Sequence, residues 1–117
     1  MREKLGDEAR LRHIAEAIEK LESFIDGISY DEYFKNELIK SAVVRQLEII
    51  GEASNHLSEA LKDKYAEISW KDIIGFRNIV VHEYFIIDYA VIWDILQNYL
   101  PTLKNTITDL LNKEYNK

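Results

Sequence analysis

An all-α fold, an antiparallel up-and-down bundle of four helices, follows from three features of these 117 residues. Apolar residues recur at intervals of three and four almost throughout, the period of a helix that buries one face. One proline and four glycines leave few breaks, so the segments between them are long. Polar capping residues stand just ahead of the apolar stripes, and the short connections between stripes make neighbouring helices antiparallel.

The first stripe is Leu11, Ile14, Ile18, Leu21 and Ile25, with Gly27 placed to stop the helix as its C′ residue. Ser29, followed by Glu32, has the form of a capping box for a second helix. That helix carries Ile39, Val43, Leu47, Ile50, Leu57 and Leu61 to about Lys64, with a separate short turn around Tyr30 to Phe34 as an option at its start. Ser69 and Asp72 are a weaker capping signal for a short third helix through Trp70, Ile73, Ile74 and Phe76. Asp88 would cap a fourth, carrying Val91, Ile92, Ile95, Leu96, Tyr99, Leu103, Ile107 and Leu110. Pro101 falls inside that stripe and predicts a kink, because its ring lacks the N–H the helix needs. Trp70 and Trp93 sit on apolar stripes and read as core. With no internal repeat or linker, residues 1–117 read as one domain.

Composition excludes several classes of function. There are no cysteines, hence no disulfide, thiolate nucleophile or cysteine-based zinc site. His13 and His56 lack ligand-spaced partners, so no metal and no cofactor are expected. No apolar run reaches membrane-span or signal-peptide length, which predicts a cytoplasmic protein with no membrane partner. The net charge of −6 opposes broad, charge-driven nucleic-acid binding but leaves room for a local basic cleft.

Ser41, Arg45, Glu48, Glu52, Asn55 and Glu59 are spaced to line one side of the second helix. They form either a solvated face or a partner surface. Gly51, in mid-helix, costs ~1 kcal/mol against alanine, which suggests that another backbone packs close to it.

The stretch RNIVVHEYF, residues 77–85, sets a guanidinium, an imidazole and a phenol among core-type side chains. The types suit metal-free RNA cleavage. Arg77 can bind phosphate oxygens and stabilise a pentavalent transition state. His82 can take the proton of a ribose 2′-OH or give one to the leaving 5′-oxygen. Asn78 can orient the imidazole or donate to phosphate, and Tyr84 can donate to phosphate or stack on a base. On the chemistry of these residues alone the structural alternative is the commoner outcome: Arg77 paired with Glu48, Glu52 or Asp72, His82 at a helix end, and Tyr84 in the core. On a continuous helix Arg77 and His82 diverge by about 140°, so one straight copy would not aim both at one ligand. A helix end near His82 or a symmetric dimer would relieve this.

AVVRQLEIIGEASNHLS (42–58), SWKDIIGFRNIVVHEYFIID (69–88) and VIWDIL (91–96) together resemble the HepT-like toxin family of the HEPN superfamily. The resemblance covers nearly the whole chain. It implies an all-α HEPN homodimer acting as a metal-independent RNA endonuclease. It also implies the toxin role in a type VII-like HEPN/MNT toxin–antitoxin system. The family's R-x4-H-x-Y motif falls on Arg77, His82 and Tyr84, with Asn78 as the polar residue after the arginine. Arg77 and His82 would then be catalytic at a cleft shared by both copies. The acidic balance would be met by focusing that cleft with Arg45 beside Arg77 and their dimer mates, Arg45 helping to bind RNA. The implied partner is an MNT-type nucleotidyltransferase antitoxin, in a hetero-oligomer, that transfers AMP to Tyr84. The competing reading is a non-catalytic HEPN bundle that binds a nucleotidyltransferase or a nucleotide.

Overall fold

A computed structural model describes residues 2–78 and 88–115, with side chains from residue 6 onward. Among these residues all regular structure is helical, an all-α bundle. Helix α1 (Arg2–Ile25) ends as the sequence predicts, with Gly27 at φ +73°, a conformation in which a side chain would be strained. The capping box forms: Ser29 Oγ accepts from the Glu32 N–H at 3.1 Å, and Glu32 Oε1 accepts from the Ser29 N–H at 2.9 Å. It opens α2 (Tyr30–Lys35). Asn36 then starts a new helix, its Oδ1 accepting from the Ile39 N–H at 3.0 Å, so the short opening turn is separate from α3 (Glu37–Asn55).

The second helix does not run on to Lys64. It stops at Asn55, and α4 (Glu59–Lys64) begins afresh. The cause is Asp7, only 5% exposed, on α1. Its carboxylate accepts from the Ser58 N–H at 2.8 Å and from Ser58 Oγ–H at 2.6 Å. Ser58 Oγ in turn accepts from the Leu61 N–H at 3.2 Å, the N-cap bond of α4. A continuous helix would spend the Ser58 N–H on its own backbone, so the buried carboxylate and the break imply one another.

Helix α5 (Trp70–Gly75) starts after Ser69, but Ser69 makes no side-chain cap bond, so the predicted Ser69/Asp72 cap is not used. Trp70 Nε1–H donates to the Tyr65 carbonyl at 3.1 Å and holds the helix start instead. The winding then tightens into a 3-10 turn, Phe76–Asn78. After the undescribed segment, Asp88 caps α6 (Tyr89–Asp94), accepting from the Ala90 and Val91 N–H groups at 3.1 Å each.

The disturbance expected near Pro101 takes the form of a π turn, Ile95–Tyr99, joining α6 to α7 (Leu100–Tyr115). There the Leu100 N–H donates to the Ile95 carbonyl, five residues back, opening the ladder just before a residue that cannot donate. The looser winding keeps Ile92, Leu96 and Leu100, four apart, on the buried side. Val91, predicted to be core, is displaced and 53% exposed.

Two contacts fix the directions of the long helices. Asp7 meets Ser58, so α1 and α3 are antiparallel. Lys104 Nζ lies 3.0 Å from Glu22 Oε1, so the start of α7 lies beside the end of α1, also antiparallel. Between them lie Leu11, Ile14, Ile18 and Leu21, with Val43, Leu47 and Ile50, and with Leu103, Ile107 and Leu110, none more than 2% exposed. Each such side chain stabilises the fold by about 1.5–3 kcal/mol.

A second cluster ties α2 to α6. Tyr33 is fully buried, its hydroxyl donates to the Tyr89 carbonyl at 3.2 Å, and its ring lies 4.9 Å from that of Trp93. Lys40 Nζ sits 4.8 Å from the Phe34 ring centroid and 4.4 Å from that of Tyr89, a cation held between two aromatic faces. Among the described residues no helix is long and apolar enough to cross a membrane.

Candidate functional site

Arg77 stands in the 3-10 turn that ends α5, and its place is set by Gly51 on α3. A Cβ at position 51 would collide with the Arg77 backbone nitrogen, and would lie 2.9 Å from the Ile74 carbonyl oxygen and 3.0 Å from the Arg77 Cα. The close backbone approach that a mid-helix glycine suggests is therefore present, and the backbone that approaches is the one carrying Arg77. The α-helix ends at Gly75 and Arg77 lies in the 3-10 turn that follows, so the 140° divergence reckoned for one continuous helix does not apply as such.

The guanidinium opens on a cleft of about 400 Å³ between α1, α3 and this turn. Arg10 and His13 reach it from α1, and Arg45, Glu48, Glu52 and His56 from α3. Ile49 and Ala53 form its apolar floor. Arg77 Nη1 lies 3.9 Å from Glu52 Oε2, a loose ion pair with both side chains partly in water. The other oxygen of the same carboxylate, Oε1, accepts from His56 Nε2 at 2.8 Å. Arg77 Nε is buried with no hydrogen-bond partner among the described residues. A guanidinium in this state, weakly paired and facing a cleft, retains donors for an anion.

Arg45 and Arg77 line the same cleft. Asn78 is half-buried in the same 3-10 turn and is not part of the cleft lining. His82 and Tyr84 lie outside the described residues. Of the polar stripe on α3, Arg45, Glu48 and Glu52 line the cleft, while Glu59 belongs to α4 beyond the break. The sequence reading missed Arg10, His13 and His56. His13 and His56 are far apart in sequence and come to one cleft only through the packing of α1 on α3. The i, i+4 spacing of Glu52 and His56 was the one local signal for that pair. Among the described residues no group of histidine and carboxylate side chains is arranged to hold a metal.

A family model described as Ribonuclease HepT-like matches residues 14–110. The chain belongs to the HepT-like ribonuclease family. Curated relatives agree over most of its length. A protein named "Putative RNase" from Methanocaldococcus jannaschii is 38% identical over 99 residues, covering 85% of this chain and 91% of its own. Another of that name, from Caldanaerobacter subterraneus subsp. tengcongensis, is 36% identical, covering 89% of this chain and 93% of its own. "Probable ribonuclease HepT" from Thermococcus cleftensis is 36% identical, covering 86% and 91%. No solved structure matches the chain significantly. The model match and these relatives span α3, α5 and the turn that carries Arg77.

Proposed function

We propose that this HepT-like protein is a metal-independent RNA endonuclease whose active cleft is built around Arg77. The observation that carries the reading is the placement of Arg77: held by the backbone against Gly51, loosely paired, and open to a cleft lined by two more arginines. In the proposed reaction the ribose 2′-oxygen attacks the adjacent phosphorus as its proton passes to a base. The P–O5′ bond breaks, and an acid protonates the departing 5′-oxygen. The products are a 2′,3′-cyclic phosphate and a 5′-hydroxyl. Arg77 stabilises the charge that builds on the phosphorane oxygens, and His82 moves a proton. Such a route needs no metal ion.

The finer reading is that the chain is the toxin of an HEPN/MNT toxin–antitoxin pair. It acts as a homodimer, with Asn78 and Tyr84 supporting RNA binding. A nucleotidyltransferase antitoxin silences it by joining AMP to Tyr84. Added phosphate beside Arg77 would occupy the anion site that RNA needs. Family membership and the motif supply this reading.

Expression in a bacterial host tests it. The wild-type protein arrests growth, and Arg77→Ala and His82→Ala do not. Equal toxicity of all three would remove the roles assigned to both residues. Co-expression with an MNT-type nucleotidyltransferase restores growth and adds one AMP mass to the peptide holding Tyr84. Rescue without that mass would limit the antitoxin to binding.

A further inference from the structure

We propose that helix α1 supplies a second phosphate-holding position, Arg10 with His13. An RNA strand would then lie along the α1–α3 groove with arginines on both sides of Arg77. This rests on the ribonuclease reading above and adds to it the path of the substrate.

The order of groups along the groove follows from the packing. Asp7 meets Ser58 across two antiparallel helices, so successive residues of α1 lie level with earlier residues of α3. Arg10 therefore falls near the His56 end, His13 near Glu52 and Arg77, and Arg45 at the far end. From Arg45 to His56 the α3 axis rises about 16 Å at about 1.5 Å per residue. That is several nucleotides at the roughly 3.4 Å rise of a helical strand.

Charge and residue choice both point to a phosphate backbone. The chain carries −6 overall, yet among the described residues three arginines line this one groove against two carboxylates. None of the lysines among the described residues is in the lining. Arginine's planar fork matches phosphate oxygens two at a time, which lysine's point charge does not. Several surface cations elsewhere are already paired: Arg12 with Glu8, Lys35 with Asp31, Lys64 with Glu114 and Lys104 with Glu22, at 2.8–3.0 Å. Arg10 spends one N–H on the Gly6 carbonyl at 3.4 Å, and neither Arg10 nor Arg45 has a carboxylate within 4.0 Å among the described residues. The floor of Ile49 and Ala53 offers nothing that reads a base edge, and with the arginines on phosphates the track is sequence-tolerant.

The test is fluorescence anisotropy with a labelled single-stranded RNA in EDTA, using a His82→Ala background to prevent cutting. Arg10→Gln and Arg45→Gln each weaken binding several-fold, equally for poly(U) and poly(A). Each also lowers the slope of log K against log salt by about 0.7. Lys104→Gln, on the far helix, changes neither. Thermal melts confirm that each variant is folded. Folded Arg10→Gln and Arg45→Gln proteins with native affinity and slope would overturn the proposal. So would loss of polyglutamate binding with RNA binding intact, which would assign the groove to an acidic protein. If the arginine variants behave as expected but the wild type never cuts RNA, the track stands and the nuclease reading falls. If the wild type cuts RNA and the variants bind it normally, the reverse holds.

Discussion

Arg77 and Glu52 define the chemistry at the scale of single residues. Their separation of 3.9 Å, with Glu52 also bonded to His56, makes the carboxylate a competitor that phosphate must displace. An exposed pair of this kind is worth at most ~1 kcal/mol. Glu52→Gln should therefore tighten RNA binding by up to about fivefold, read as a lower Kd in anisotropy; weaker binding would mean that Glu52 contacts the RNA or builds the cleft. Arg77→Lys keeps the charge and loses the fork, and is expected to lower kcat on the order of 100-fold, as removal of a transition-state donor does. Single-turnover cleavage at saturating protein separates that loss from binding. Arg77 was legible in the sequence because its chemical type is distinctive next to a histidine and a tyrosine. Arg10 was not, because nothing local marks an arginine on α1 as facing α3.

At the scale of elements, the cleft exists because α3 lets the Arg77 turn come close. Gly51→Ala gains helix propensity but sets a methyl against the Arg77 and Ile74 backbones. Overpacking of that kind costs about 1–3 kcal/mol and should outweigh the gain, lowering Tm and moving Arg77. A variant as stable as the wild type with full activity would show that the contact is dispensable. Helix starts at Ser29 and Asp88 and the stop at Gly27 could be read in advance, because caps are local chemistry. The break at His56–Ser58 could not, because the acceptor that captures Ser58 is Asp7, on another helix. The π turn was legible only as trouble near Pro101.

For the whole molecule, alkaline pH is the titration that the structure makes costly. Tyr65 is pushed up to about 12 by its hydrogen bond to Glu114, with burial adding to it. Burial likewise raises Tyr33, Tyr99 and Tyr115, with nearby Tyr89, Asp72 and Asp7 as the next causes in turn. Because these folded-state values lie above the ordinary 10, the stability they confer is complete below pH 10 and is lost as pH rises through them. Melting temperatures should hold level to about pH 9 and fall above 10, less steeply in Tyr65→Phe; a flat profile to pH 12 would contradict the bonded phenol. Under the proposed reading, the acidic balance of the chain and RNA binding are reconciled by segregation, with three arginines gathered in one groove and only Arg77 ion-paired there, loosely, among the described residues. The central claim is metal-free RNA cleavage that depends on Arg77. Purified protein incubated in EDTA with an RNA and with its all-2′-deoxy counterpart tests it most directly. Wild type should yield RNA fragments ending in 2′,3′-cyclic phosphate, leave the DNA whole, and lose the activity in Arg77→Ala. Intact RNA, cleavage of the deoxy strand, or undiminished cutting by Arg77→Ala would contradict it.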